Sequence, residues 1–163
     1  MITAKTHITF KDFLNFNIKN SLPRIIIFSF IILIFLGLNF YNTERDTENI
    51  LQSASIWFAA VFVFIIIRSY FRLKNAFYSN KKIQEEIVYT FTDEKVQTKG
   101  ETFEGDFTWN TVYKIKETKD WLLIYQSKMT MNMVPKKYFS DSQISELRNM
   151  IKKSNVKAKL LSN

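Results

Sequence analysis

The chain has no cysteine, one histidine and three glycines among 163 residues. Without cysteine there is no disulfide framework, no thiolate metal site and no thiol nucleophile. The single histidine, His7, precedes the first long apolar run and lies far in sequence from any carboxylate cluster. Neither a Ser-His-Asp arrangement nor a histidine metal site is expected from it; a solvated or interfacial side chain is. Three glycines leave no glycine-rich phosphate loop. Glu101, Glu104 and Asp106 are oxygen ligands of the type that suits Ca²⁺ or Mg²⁺. They sit on a glycine-punctuated turn without EF-hand spacing, however, and read as an exposed loop. No enzymatic activity, resident metal or cofactor is therefore expected.

What the chain has in abundance is unevenly spread. Lys and Arg number 23 against 15 Asp and Glu, a net charge of +8. Residues 1–82 hold ten basic and four acidic side chains; residues 83–163 hold thirteen and eleven. The basic excess thus accompanies the apolar part of the chain, as the cytoplasmic flanks of membrane spans require. A nucleic-acid partner, which would load the folded domain with positive charge, is not expected.

Two apolar runs dominate the first half. In residues 25–41, thirteen side chains are Ile, Leu or Phe. At about −0.3 to −0.6 kcal/mol each near a bilayer centre they favour insertion by several kcal/mol. A buried helix of this kind in a soluble protein would need a larger surrounding chain than this one. The second run, 50–67, is weakened at its start by Gln52, Ser53 and Ser55 and stops at Arg68. Between them the linker 42–49 is short, polar and net acidic. The runs predict a two-helix transmembrane hairpin over 25–72, with spans at about 25–41 and 50–67. Lys5, Lys11, Lys19 and Arg24 before the first span, and Arg68, Arg72, Lys74, Lys81 and Lys82 after the second, put both termini in the cytoplasm. A cleaved signal peptide is rejected, because the run starts late and ends without a small-x-small site. Gly37, Ser55, Ala59 and Ala60 are small enough for close helix packing, and Tyr41, Trp57 and Tyr70 fall near the interfaces.

Residues 1–24 read as an N-terminal amphipathic segment. Thr9 is a helix cap with Asp12 three positions on, and Phe10, Phe13, Leu14 and Ile18 recur at helical spacing. The segment fits either a membrane interface or the surface of the soluble domain.

From residue 83 the apolar period changes to two. Ile87, Tyr89 and Phe91 alternate with Val88, Thr90 and Thr92, and further short alternating runs follow through Pro135, giving five or six strands at hairpin spacing. Ser140-Asp141-Ser142-Gln143 is a capping-box start. Ile144, Leu147, Met150 and Ile151 form the apolar stripe of a terminal helix ending at Lys152-Lys153. The expected fold is a membrane α-helical hairpin plus an α+β domain over 83–163: an antiparallel, pleckstrin-homology-like (PH-like) sheet capped by one C-terminal helix.

Tyr89-Thr90-Phe91-Thr92-Asp93-Glu94, Trp109-Asn110-Thr111-Val112 and Val134-Pro135-Lys136-Lys137-Tyr138-Phe139, following two spans, resemble the YcxB-like membrane proteins of bacteria. The resemblance extends over nearly the whole chain. It implies a PH-like domain behind a transmembrane hairpin in the bacterial cytoplasmic (inner) membrane, and it carries no catalytic residues to transfer. The expected role is a non-enzymatic interaction module that binds a protein or lipid at the cytoplasmic membrane face. The alternative is an immunity protein that neutralises a cognate toxin there. Lys136 and Lys137, with Arg68, Arg72 and Lys74, are the candidate lipid or partner contacts. The alternating Met129, Met131 and Met133 suit core packing or an adaptable binding face.

Overall fold

The computed structural model describes residues 1–41 and 47–161, with side chains described except at 33, 35–41 and 47–54. The chain divides into a unit of Met1–Ile8 with Lys81–Asn163 and a unit of Thr9–Asn80. Of the linker expected at 42–49, residues 42–46 lie outside the described residues and 47–49 are already helical; the side-chain surroundings of Gly37 and Tyr41 are also outside what is described.

The first unit begins with residues that carry a weak strand signal. Ile2, Ala4 and Thr6 are buried while Thr3 and Lys5 are exposed, the period of two that a half-buried strand imposes. This strand, β1 (Ile2–Thr6), pairs antiparallel with β2 (Ile87–Phe91), setting Ile2 against Phe91 and Thr6 against Ile87. The Thr6 hydroxyl donates to the Ile87 carbonyl at 3.1 Å, across a separation of 81 residues. Strands β3 (Lys95–Lys99) and β4 (Glu104–Thr108) complete a sheet ordered β1-β2-β3-β4. Residues 1–24 are therefore not one segment: Ile2–Thr6 is a strand of the β-rich domain, and a helix begins at Phe10.

A second sheet is ordered β7-β6-β5-β8, from β5 (Lys114–Glu117), β6 (Trp121–Tyr125), β7 (Met131–Pro135) and β8 (Ala158–Lys159). A single antiparallel sheet was expected. The structure has two, and the β5–β8 pair is parallel. The core contains Phe91, Val96, Trp109, Ile115, Ile124 and Ile151. Phe91 stacks on Trp109 with ring centroids 6.4 Å apart, and the Trp109 indole N–H donates to the Thr92 carbonyl at 2.9 Å. An indole buried this way contributes its area without stranding its one donor.

Helix α4 (Asp141–Lys153) starts where the capping box places it. The Ser140 hydroxyl accepts from the Gln143 N–H at 3.2 Å, and the Gln143 side chain accepts from the Ser140 N–H at 2.9 Å. Leu147, Met150 and Ile151 are buried, each stabilising the fold by roughly 1.5–3 kcal/mol. The helix stops at Asn155, whose φ of 56° is the left-handed conformation of a helix C-terminus, where asparagine substitutes for glycine.

The first sheet is buttressed by one buried carboxylate. Glu85 follows the short helix α3 (Lys81–Gln84) and accepts from the Glu101 and Thr102 N–H groups at 2.7 and 2.9 Å, and from the Thr102 hydroxyl. Gly100 is needed for that approach. A Cβ there would stand 2.6 Å from both the Glu85 carboxylate and the Phe103 ring.

The second unit is helical. α1 (Phe10–Tyr41) is capped by Thr9, whose hydroxyl accepts from the Asp12 N–H at 3.2 Å while the Asp12 carboxylate accepts from the Thr9 N–H at 3.1 Å. Pro23 lies inside α1, where it removes one helix hydrogen bond. α2 runs Thr47–Ser79, well past the apolar run. Phe10 lies 5.8 Å from Tyr70 and 5.7 Å from Phe77, and Phe13 lies 5.6 Å from Phe77. The apolar spacing of the first α1 turns thus serves packing on α2. Further along both helices the large apolar side chains face outward, Phe28 at 68 % and Phe64 at 61 % exposure. Where two spans were expected, one stretch among the described residues, Ser55–Ser79, is long and apolar enough to cross a membrane, with mean hydropathy 1.8. Of the expected span 25–41, side chains 33 and 35–41 are outside the described residues.

Candidate interaction surface

The paired lysines after Pro135 do not form one patch. They lie on a 3-10 turn, Lys136–Tyr138, whose geometry sends the two side chains apart. Lys136 turns inward, its ammonium 2.5 Å from the Glu117 carboxylate. Arg148 of α4 donates to the same carboxylate from Nε at 2.9 Å and from a terminal nitrogen at 2.8 Å, and the Leu161 N–H donates at 3.1 Å. Glu117 is only 1 % exposed as a side chain. Burial pushes its carboxyl up, but hydrogen bonds from Arg148, Lys136 and Leu161, with the lysine's charge, hold it down at about 2. One carboxylate thereby ties β5, the 3-10 turn, α4 and the C-terminal chain together. Lys137 remains on the exposed side, its ammonium 5.2 Å from the Tyr138 ring. The Tyr138 hydroxyl donates to the His7 carbonyl at 2.9 Å, which fixes the chain just after β1 to the turn. Arg68, Arg72 and Lys74 are exposed on α2 in the helical unit.

The three carboxylates of the glycine-punctuated turn are also distributed. Asp106 pairs with Lys95 at 2.7 Å and Glu104 with Lys99 at 3.9 Å, while the Glu101 N–H is held by Glu85. Among the described residues no group of three or more His, Cys, Asp or Glu could hold a metal ion.

A basic surface that the sequence reading missed lies on the β5–β8 side of the second sheet's outer face, whose centre at Leu123 and Met133 is buried. Ile115 and Glu117 point to the core side of β5, so Lys114 and Lys116 point away from it. The register sets Lys116 beside Lys159 of β8 and Leu123 of β6, and Lys114 beside Tyr125. The Lys114 ammonium lies 4.6 Å from the Tyr125 ring centroid, close enough for a cation–π contact. Met133 and Met131 continue the same rows on β7. The methionines grade from buried Met133 through half-buried Met131 to Met129, 95 % exposed at the β6–β7 hairpin tip beside Lys128. That tip is ordered by the Ser127 hydroxyl, which accepts from the Met129 and Thr130 N–H groups at 3.2 and 3.0 Å.

Charge follows the same division. Residues 85–106, which include β2 and β3, carry seven acidic and two basic side chains, a net −5; residues 107–163 carry four and eleven, a net +7. In the folded unit the acidic stretch is offset by Lys5, 2.6 Å from Glu86, and by Lys81 and Lys82 of α3, so the basic excess lies in residues 107–163. The signal was present as Lys114-Ile115-Lys116, basic residues at strand spacing around a core isoleucine.

Residues 91–151 match the family model of YcxB-like proteins, the family the sequence resembles. The match runs from the last residue of β2 to Ile151 of α4 and leaves out both long helices and β1. No curated protein and no solved structure matches the chain.

Proposed function

With that YcxB-like match as premise, we propose that the chain is a non-enzymatic membrane-anchored interaction module, its PH-like domain held at the cytoplasmic face of a bacterial inner membrane by a two-helix hairpin. One observation carries the anchored part. Thr6 and Ile87 are neighbours in one sheet, so everything from Thr9 to Asn80 departs from and returns to the same folded unit. A folded sheet occupies one side of a membrane, and the number of crossings between those residues is therefore even. Ser55–Ser79 supports one crossing; given that crossing, parity calls for a second, and the apolar run 25–41 of α1 is the one we propose. Helices of 32 and 33 residues rise roughly 48–50 Å, more than the ~30 Å hydrocarbon thickness. Arg24 ahead of one apolar run and Arg68, Arg72 and Lys74 behind the other favour the cytoplasm for the sheet unit. Two sheets and a C-terminal helix support the PH-like reading, and the basic excess of residues 107–163 suits a partner-binding role.

The absence of native cysteine makes the test direct. In intact cells a membrane-impermeant maleimide should label Asp46→Cys, whereas Thr3→Cys and Lys128→Cys should react only after permeabilisation. If Asp46→Cys and Lys128→Cys react from the same side, the hairpin does not cross and the anchored reading fails.

A further inference from the structure

Resting on the anchored reading above, we propose that the exposed β5–β8 side of the second sheet's outer face (Lys114, Lys116 and Lys159), together with the β6–β7 tip, is a docking surface for the anionic phospholipid headgroups of the membrane that holds the protein. Lys116 and Lys159 are side by side on adjacent strands, roughly 4.8 Å apart at the backbone. Lys114 stands two residues along the same face. Like charges placed so closely repel one another, and no carboxylate occurs in the rows that join Lys159, Lys116, Leu123 and Met133, or Lys114, Tyr125 and Met131. An external anion relieves that repulsion. A phosphate layer does so for all three at once, and the Lys114 ammonium is already positioned by the Tyr125 ring.

The tip adds the apolar element that separates a lipid surface from a soluble polyanion. Met129 is 95 % exposed next to Lys128, so an unbranched apolar side chain and a cation project together from a hydrogen-bonded turn. Such a pair places the methionine at the headgroup–acyl boundary and the ammonium among the phosphates. The net +7 of residues 107–163 supplies the long-range attraction to an anionic leaflet.

The test uses the full chain in lipid nanodiscs, with Met129→Cys as the sole cysteine carrying an environment-sensitive bimane. In discs of phosphatidylcholine with one-quarter phosphatidylglycerol at low salt, the emission should shift to the blue. Quenching by aqueous iodide should fall at least twofold relative to pure phosphatidylcholine. Both effects should vanish at 0.5 M NaCl, where the Debye length is about 4 Å, and should shrink at least twofold with Lys116→Gln and Lys159→Gln together. Equal emission and quenching in the two lipids at low salt overturns the proposal, whether or not the double variant folds. A blue shift that ignores both lipid charge and salt also overturns it, in favour of a protein contact. Retention in the bilayer after an alkaline carbonate wash is read on the same samples. Loss there rejects the anchored reading itself, and retention with a lipid-insensitive label rejects only the docking surface.

Discussion

Isoleucine and phenylalanine do opposite things in the two units. In the sheet unit Phe91 and Ile124 are fully buried, whereas in the helical unit Ile27, Phe28, Phe64 and Ile65 are more than half exposed. The residue types are the same and the pattern differs: alternation in β2, a short run buried on both faces in β6, near-continuous apolarity in α2. Alternation hides one face and wets the other, so it closes a core in water. A helix apolar on every side has no face to hide and requires an apolar surrounding. The comparison teaches that the chain carries two apolar patterns, one that closes a core and one left facing outward, and that they belong to the two units that meet at Ile8–Thr9 and Asn80–Lys81 in the chain.

That division is sharpest if β1 belongs to the sheet unit in energy as well as in space. Removing Met1–Ile8, or expressing a fragment from Lys81, deletes buried Ile2, Ala4 and Thr6 and bares the edge of β2. We expect a loss of about 4 kcal/mol or more and aggregation along the exposed edge. Joining residues 1–8 to Lys81 through a short flexible linker should restore a soluble, cooperatively unfolding domain. Circular dichroism melts of the two fragments give the comparison, and equal stability would remove β1 from the cooperative unit.

A smaller effect separates the two adjacent lysines. Lys136→Glu sets a second carboxylate against buried Glu117 and should cost about 3–5 kcal/mol, the usual consequence of breaking a buried pair from one side. Lys137→Glu, on the exposed side of the same turn, should change stability by less than about 0.5 kcal/mol. Denaturant midpoints of the full chain in detergent read both, and similar losses for the two would show that the inward ion pair is not maintained.

The mildest perturbation is acid. Glu117 titrates near 2 in the folded chain against an ordinary 4.5, so its contribution is fully present above about pH 4.5. It is lost as the pH falls toward and through 2, amounting to about 3 kcal/mol at most. Glu117→Gln should flatten that part of the stability profile between pH 5 and 2. An unchanged slope in the variant assigns the acid sensitivity to other carboxylates.

Much of the sheet unit could be read locally. The Ser140–Gln143 capping box and the buried stripe Leu147, Met150 and Ile151 are short-range signals, and α4 lies where they put it. Ile87, Tyr89 and Phe91 announced β2 by alternation alone. What escaped was non-local. β1 offers only Ile2, Ala4 and Thr6 on its inner face, a faint pattern whose meaning depends on a partner 81 residues away. Lys136 looked like a surface cation because its partner, Glu117, is nineteen residues upstream and sat within a run that reads as an ordinary half-exposed strand. The lysines of the second sheet's outer face became a group only when β8 was seen beside β5.

The β1–β2 pairing also sets a schedule for synthesis. β1 leaves the ribosome well before its partner, which follows 81 residues later and at 5–20 residues per second takes roughly 4–16 s to appear. For that interval Ile2, Ala4 and Thr6 wait unpaired, while the two long helices are made. The sheet closes only after the whole of Thr9–Asn80 has been made. A chain in which Ile2–Thr6 is held away from β2 cannot complete its first sheet, so the strand makes folding of the sheet unit conditional on synthesis of the whole helical segment.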